Sequence, residues 1–205
     1  MLQPFAESME TYFKDSFELK FITDQFIVPP GGRLFTIDAK SMYTYIDTDV
    51  ALLAIAEYLR DDETNRQFSH YHDETLISAL EIVMKNSIFR FGDIYARQIS
   101  GTAMGKPCAP PWATIFEGLR ETKFLPLWRE HLPLYKRFID DVIALWVPTS
   151  TDSTTDDLEF EAFKATVNDN HCLTTYLDIF EKRHETRLHG SYDNDCWRQT
   201  PHFTV

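Results

Sequence analysis

Residues 134–146, LYKRFIDDVIALW, decide how this chain is read. Two apolar runs flank a two-acid tip, Asp140-Asp141, which predicts a hairpin of buried strands. Charged groups at such a tip must face water, a cation or a ligand. Neighbouring residues on a strand point to opposite sides, so both acids reach one site only where a tight turn breaks the alternation. A third acid ends another apolar run: in RLFTIDAKSMY, Leu34, Phe35 and Ile37 read as a short buried strand finishing at Asp38. If these strands are neighbours, three carboxylates converge, and each raises the others' pKa unless a cation neutralises them. Hard oxygen donors without His or Cys nearby point to Mg²⁺ or Mn²⁺. Two such ions, about 3.5–4 Å apart, clamp the attacking and leaving oxygens of an in-line phosphoryl displacement. The chemistry implied is nucleotidyl transfer or phosphodiester cleavage. Asp-Asp also occurs at 61–62 and 156–157, but in polar surroundings, where both pairs read as solvated loop acids.

Outward from this centre the order of elements is mixed. Residues 5–20 place Phe5, Met9, Tyr12, Phe13 and Phe17 at helical spacing. Pro29-Pro30-Gly31-Gly32 is a turn signal that stops the chain before the Asp38 strand. Residues 48–60 predict a helix with Thr48 as N-cap and Leu52, Ile55, Ala56 and Leu59 inside. A polar loop over 61–70 leads to a second helix with Leu76, Ile77, Leu80, Val83 and Met84 inside. SIFRFGDIYARQI carries a hairpin signature at Gly92-Asp93. Residues 109–124 read as a helix whose first turn suits Pro110 and Pro111. A polar surface linker over 149–157, a short helix around 158–167 and strands near 173–180 and 186–192 complete the chain. Hairpins with helices between them predict an α+β class.

The totals set limits. With 205 residues, 43% hydrophobic and 14% aromatic, the chain can bury one sizeable core. No run approaches eighteen apolar residues, and the N-terminus has no basic start with an apolar stretch, so neither a membrane span nor a signal peptide is expected. Cys108, Cys172 and Cys196 lie far apart and read as reduced thiols of an intracellular protein, nuclear or cytoplasmic. His70 and His72 form an H-x-H without a completing ligand set. The formal charge is −12, which counts against a free-standing protein that grips phosphates.

The order of motifs resembles that of reverse transcriptases. RLFTIDAKSMYTYID looks like polymerase motif A, in which an aspartate binds metal and an aromatic five residues later lies under the incoming sugar; these match Asp38 and Tyr43. RQISGTAMGKPCAPPWATIFEG resembles motif B, which closes over template and nucleotide, and matches Gln98, Gly101, Met104, Gly105 and Pro107. YKRFIDDVIALW resembles motif C, with Phe138, Asp140 and Asp141 in place. The wording is closest to the reverse transcriptases of Penelope-like retroelements, and the likeness covers roughly residues 20–192. Two positions depart from that pattern: Lys106 stands where Ser is usual, and Tyr45 where Asn is usual.

The resemblance implies a polymerase palm, an antiparallel sheet backed by helices, with fingers and thumb largely missing. A helical lead-in would occupy 1–30, the palm 31–192 and a truncated C-terminal segment 193–205. It implies RNA-directed DNA synthesis with two Mg²⁺ or Mn²⁺ ions held by Asp38, Asp140 and Asp141, with an RNA template, a DNA primer and dNTPs as partners. Tyr43 would exclude a ribose 2′-OH, and Gln98 would position template or nucleotide. Gly101 and Gly105 would admit close backbone approach. Lys164 and Lys182 fit the spacing of a late proton-donating lysine poorly. Apart from the resemblance, Tyr43 reads equally as a core aromatic, Gln98 as a strand end and the glycines as turn formers. Three readings stay open: an active reverse-transcriptase piece, an inactive domesticated relative acting as a binding module, and an unrelated acidic-cluster phosphodiesterase.

Overall fold

The computed structural model describes residues 2–149, 152–170 and 182–183. Its centre is an antiparallel sheet in the order β4-β5-β1-β6, built from β1 (Arg33–Asp38), β4 (Leu134–Phe138), β5 (Asp141–Trp146) and the two-residue β6 (Lys182–Arg183). The expected hairpin is present: β4 pairs with β5 from Leu134↔Leu145 to Phe138↔Asp141, leaving Ile139-Asp140 as a two-residue loop. β1 lies against the other side of β5, in register from Arg33↔Trp146 to Asp38↔Asp141. The expected strands near 173–180 and 186–192 lie outside the described residues.

Alternation along these strands separates two faces. Phe35, Ile37, Tyr135, Val142, Ala144 and Trp146 share one core cluster with Phe124, Phe160 and Phe163. This face is backed by α7 (Ala109–Phe124) and α8 (Ser153–Asn170). On the other face Leu134 and Leu145 pack with Val28, Ile22 and Phe26, at the end of the sheet away from the acids. A second, larger cluster joins α1 (Gln3–Glu7), α4 (Thr48–Arg60) and α6 (Asp73–Lys85) to the inner face of α7. The α+β class and the helix-backed antiparallel sheet expected from sequence are both present.

Several local expectations need correction. Residues 5–20 do not form one helix. α1 ends at Glu7, Tyr12 bridges to Arg137 of edge strand β4, and α2 (Ser16–Thr23) starts afresh. The edge strand's open hydrogen-bonding groups take up residues 11–13 (Arg137 N to Thr11 O, 2.7 Å), while the Asp15 side chain caps α2 by accepting from Phe17 N and Glu18 N. Phe17, expected inside, is 82% exposed. The cap of α4 is Asp47 rather than Thr48, since its carboxylate accepts from Asp49 N and Val50 N. Residues 62–67 of the expected loop form α5 (Asp62–Gln67), capped by Asp61. Val83 of α6 is exposed rather than inside.

The acids at 156–157 are not both solvated loop residues. α8 starts at Ser153, and Asp156 is buried, paired with Arg33 and accepting from Trp146 Nε1 at 2.7 Å. Asp157 is the second partner of Arg33 and stays exposed. Burying Arg33 and the Trp146 indole N–H demands such an acceptor, a need that local polarity does not reveal.

Candidate active site

The register brings the three sequence-selected acids to one end of the sheet. Asp38 at the end of β1 is the direct cross-strand partner of Asp141 at the start of β5, and Phe138 flanks Asp141 on the other side. The row Asp38–Asp141–Phe138 therefore lies on the sheet face opposite α7 and α8. Asp140 sits in the turn, and its carbonyl accepts from Ala39 N at 3.0 Å, tying the turn to the chain just after Asp38. Burial raises the Asp140 pKa; its own backbone N–H opposes this, and the negative charge of Asp38 adds to the rise. A small cleft lined by Ile37, Met42, Glu117, Arg137, Ile139 and Asp140 lies under the turn, between the helix-backed face of the sheet and α7.

Three carboxylates are suitable donors for a hard divalent cation. Their side chains are not drawn onto one point, and among the described residues no three His, Cys, Asp or Glu form a ready ligand set. The backbone juxtaposition of Asp38 and Asp141 is in place.

Tyr43 stands one turn past Asp38 in the short α3 (Met42–Tyr45). It is half-buried; burial raises its pKa, and the charge of Asp140 raises it further. Gly101 is brought against it. Gly101 has φ +77°, and a Cβ there would stand 2.9 Å from Tyr43 O and 2.8 Å from Thr44 O. The close approach that requires glycine here is therefore to the chain's own backbone, and Thr102 N donates to Tyr43 O. Gly105 has open space around it instead. Gln98 follows β3 (Ile94–Arg97), and its side-chain amide donates to Ser100 O at 2.9 Å. Met104 is 70% exposed and Pro107 is also exposed, on the loop leading into α7. Lys106 donates to Val83 O.

Two groups beneath the tip escaped the sequence reading. Arg137 and Glu121 form a fully buried ion pair, Nε to Oε1 2.8 Å, on the helix-backed face of the sheet. The available signal was charge at core positions: Arg137 shares the inward face of β4 with Tyr135, and Glu117 and Glu121 are buried on α7.

Apo telomerase from Candida tropicalis, truncated from its C-terminal domain, superposes with TM-score 0.62 at 14% identity, covering 89% of this chain and 40% of that one. The telomerase of Candida albicans, solved with a TWJ fragment of telomeric RNA, gives 0.59 at 11% identity, over 86% and 33%. The chain's α+β, palm-like fold is similar to that of these telomerases. An RdRp complex follows at 0.52 and 9% identity, over 82% and 16%. The chain thus spans less than half the length of these neighbours. No family model matches the sequence, and no curated protein does. At such identities the likeness establishes the fold alone. Among the described residues no helix is long and apolar enough to cross a membrane.

Proposed function

We propose that this chain is the palm of an RNA-directed DNA polymerase, of the kind found in Penelope-like retroelements, extending a DNA primer 3′-OH on an RNA template. The observation that carries the reading is the direct pairing of Asp38 with Asp141 beside the Asp140 turn, on the open face of a palm-like sheet. The three carboxylates would hold two Mg²⁺ or Mn²⁺ ions, which supply activation of the primer hydroxyl and neutralisation of phosphate charge when bound. Tyr43, held by its backbone against Gly101 and within the field of Asp140, would line the sugar position and disfavour a 2′-OH. Gln98, Met104, Gly105 and Pro107 would, on the likeness of their stretch to motif B, contact template and dNTP.

Primer extension on an RNA template with Mg²⁺ or Mn²⁺, beside the Asp140→Asn/Asp141→Asn double variant, tests this. Product from the unsubstituted chain alone is the expected result. A second reading has its own support: a net charge of −12 opposes phosphate binding. On that reading the chain is an inactive binding module, and neither protein extends a primer. Oligonucleotide cleavage without added dNTPs would move the assignment to a phosphodiesterase.

A further inference from the structure

The tip that carries Asp140 has an unusual backbone. Ile139 adopts φ +56°, a left-handed conformation that β-branched residues strongly avoid. Such residues persist only where their surroundings over-determine them. Arg137 is the group that does so. Its Nη1 donates to Ile139 O at 3.0 Å, its Nη2 to Thr114 O of α7 at 2.8 Å, and its Nε to Glu121 Oε1. Glu121 is itself fixed by Thr11 Oγ1 (2.6 Å) and the Tyr135 hydroxyl (3.2 Å). The planar guanidinium thus ties α7, gripped at two points, to the turn carbonyl in a fixed fork.

We infer that Arg137 is a positioning residue: through Ile139 O it holds the left-handed turn that sets where the Asp140 and Asp141 carboxylates stand. Only the consequence for metal binding rests on the function proposed above; the clamp itself does not. A buried ion pair is a poor stabiliser beside apolar residues of the same volume. Stability alone therefore gives no reason for a guanidinium at this place, whereas fixing the strained turn does.

The test uses the double variant Arg137→Met/Glu121→Met, which removes the guanidinium together with the carboxylate it bonds, and the same protein with Ile139→Gly added. Glycine adopts the left-handed conformation unaided, so it should restore the turn where no clamp exists. In the metal-free protein, amide hydrogen exchange at residues 139–141 should quicken about tenfold or more in the double variant, with β5 and α7 still protected. Adding Ile139→Gly should slow it again. Mn²⁺ affinity, read by electron paramagnetic resonance, should fall about 10–100-fold and partly recover in step. Unchanged exchange at the tip, equal loosening of β4, β5 and α7, or no recovery with glycine would each overturn the inference. If the unsubstituted chain itself binds no Mn²⁺, the proposed function is what fails, and the exchange data still decide the clamp. Should the double variant not fold, Arg137→Lys, which keeps the charge but cannot span all three partners, takes its place with the same readouts.

Discussion

The molecule contains two hairpins whose turns share a local sequence. Arg90-Phe91-Gly92-Asp93 joins β2 (Ile88–Phe91) to β3, and Arg137-Phe138-Ile139-Asp140 joins β4 to β5. Both loops have two residues, both have a left-handed first residue (Gly92 φ +61°, Ile139 φ +56°), and both place Asp second. In each, the arginine two positions before donates to the carbonyl of the left-handed residue, Arg90 Nε to Gly92 O at 2.6 Å. The difference is burial. Arg90 is largely exposed and also pairs with Asp93 at 3.5 Å, where the Asp93 side chain is fully exposed. Arg137 is enclosed by α7. The exposed turn tolerates no strain and uses glycine; the buried one holds an isoleucine whose side chain packs against the larger core cluster. The same turn motif thus behaves differently according to whether a helix lies behind it.

Breaking the buried half of this comparison should have the largest effect. Glu121→Ala leaves the Arg137 charge enclosed without its carboxylate and should cost about 3–5 kcal/mol of stability. In the exposed hairpin, Asp93→Asn should change stability by no more than about 0.5 kcal/mol. Urea unfolding of both variants at one pH measures the contrast. Similar losses for the two would mean that the Arg137 enclosure is less complete than its contacts indicate.

The reciprocal change sharpens the same point. Gly92→Ile gives the exposed turn the residue of the buried one without the enclosure that supports it. The strain, about 1–3 kcal/mol, should open the hairpin locally. Hydrogen exchange should then speed up over residues 88–97 while the global unfolding midpoint barely moves, because these strands contribute little to the core. An unchanged exchange pattern would show that the Arg90 bond alone suffices to hold a left-handed isoleucine.

This contrast also marks how far the sequence could be read. Apolar runs bounded by turn residues give β1, β4 and β5 directly, and the placing of Asp38 against Asp141 follows from the two strand ends being neighbours. The hairpin at Gly92-Asp93 and the helix over 109–124 are equally plain, since their turn and first-turn prolines are local signals. What stayed hidden depends on partners distant in sequence. Asp156 reads as solvated until Arg33 and Trp146 are seen to enclose it, and Phe17 reads as core until residues 11–13 are seen to break the helix against β4. The Arg137–Glu121 pair likewise becomes meaningful only across sixteen residues of chain. The roles of Tyr43, Gln98 and the motif B loop rest on resemblance, because no pattern of burial or bonding distinguishes a nucleotide-binding loop from an ordinary one.

The smallest expected effect concerns the second residue of the two turns. Burial, with Asp38 adding its charge, raises the Asp140 pKa above its ordinary 3.8. The folded chain then keeps a proton on Asp140 at pH values where the unfolded chain has already lost it. Stability from this group is therefore unaffected below both pKa values, falls as pH rises through the window between them, and stays reduced at neutral pH. Asp140→Asn never ionises, so in metal-free buffer its stability relative to the unsubstituted chain should improve from about pH 4 upward and then level off. Asp93→Asn, in the matching exposed turn, serves as the control for removing a surface charge. Urea midpoints of the three proteins at intervals across pH 3–8 give the comparison. A gain for Asp140→Asn that grows toward low pH has the opposite sign and would mean that its carboxylate is stabilised by the fold, with neither burial nor Asp38 governing its charge.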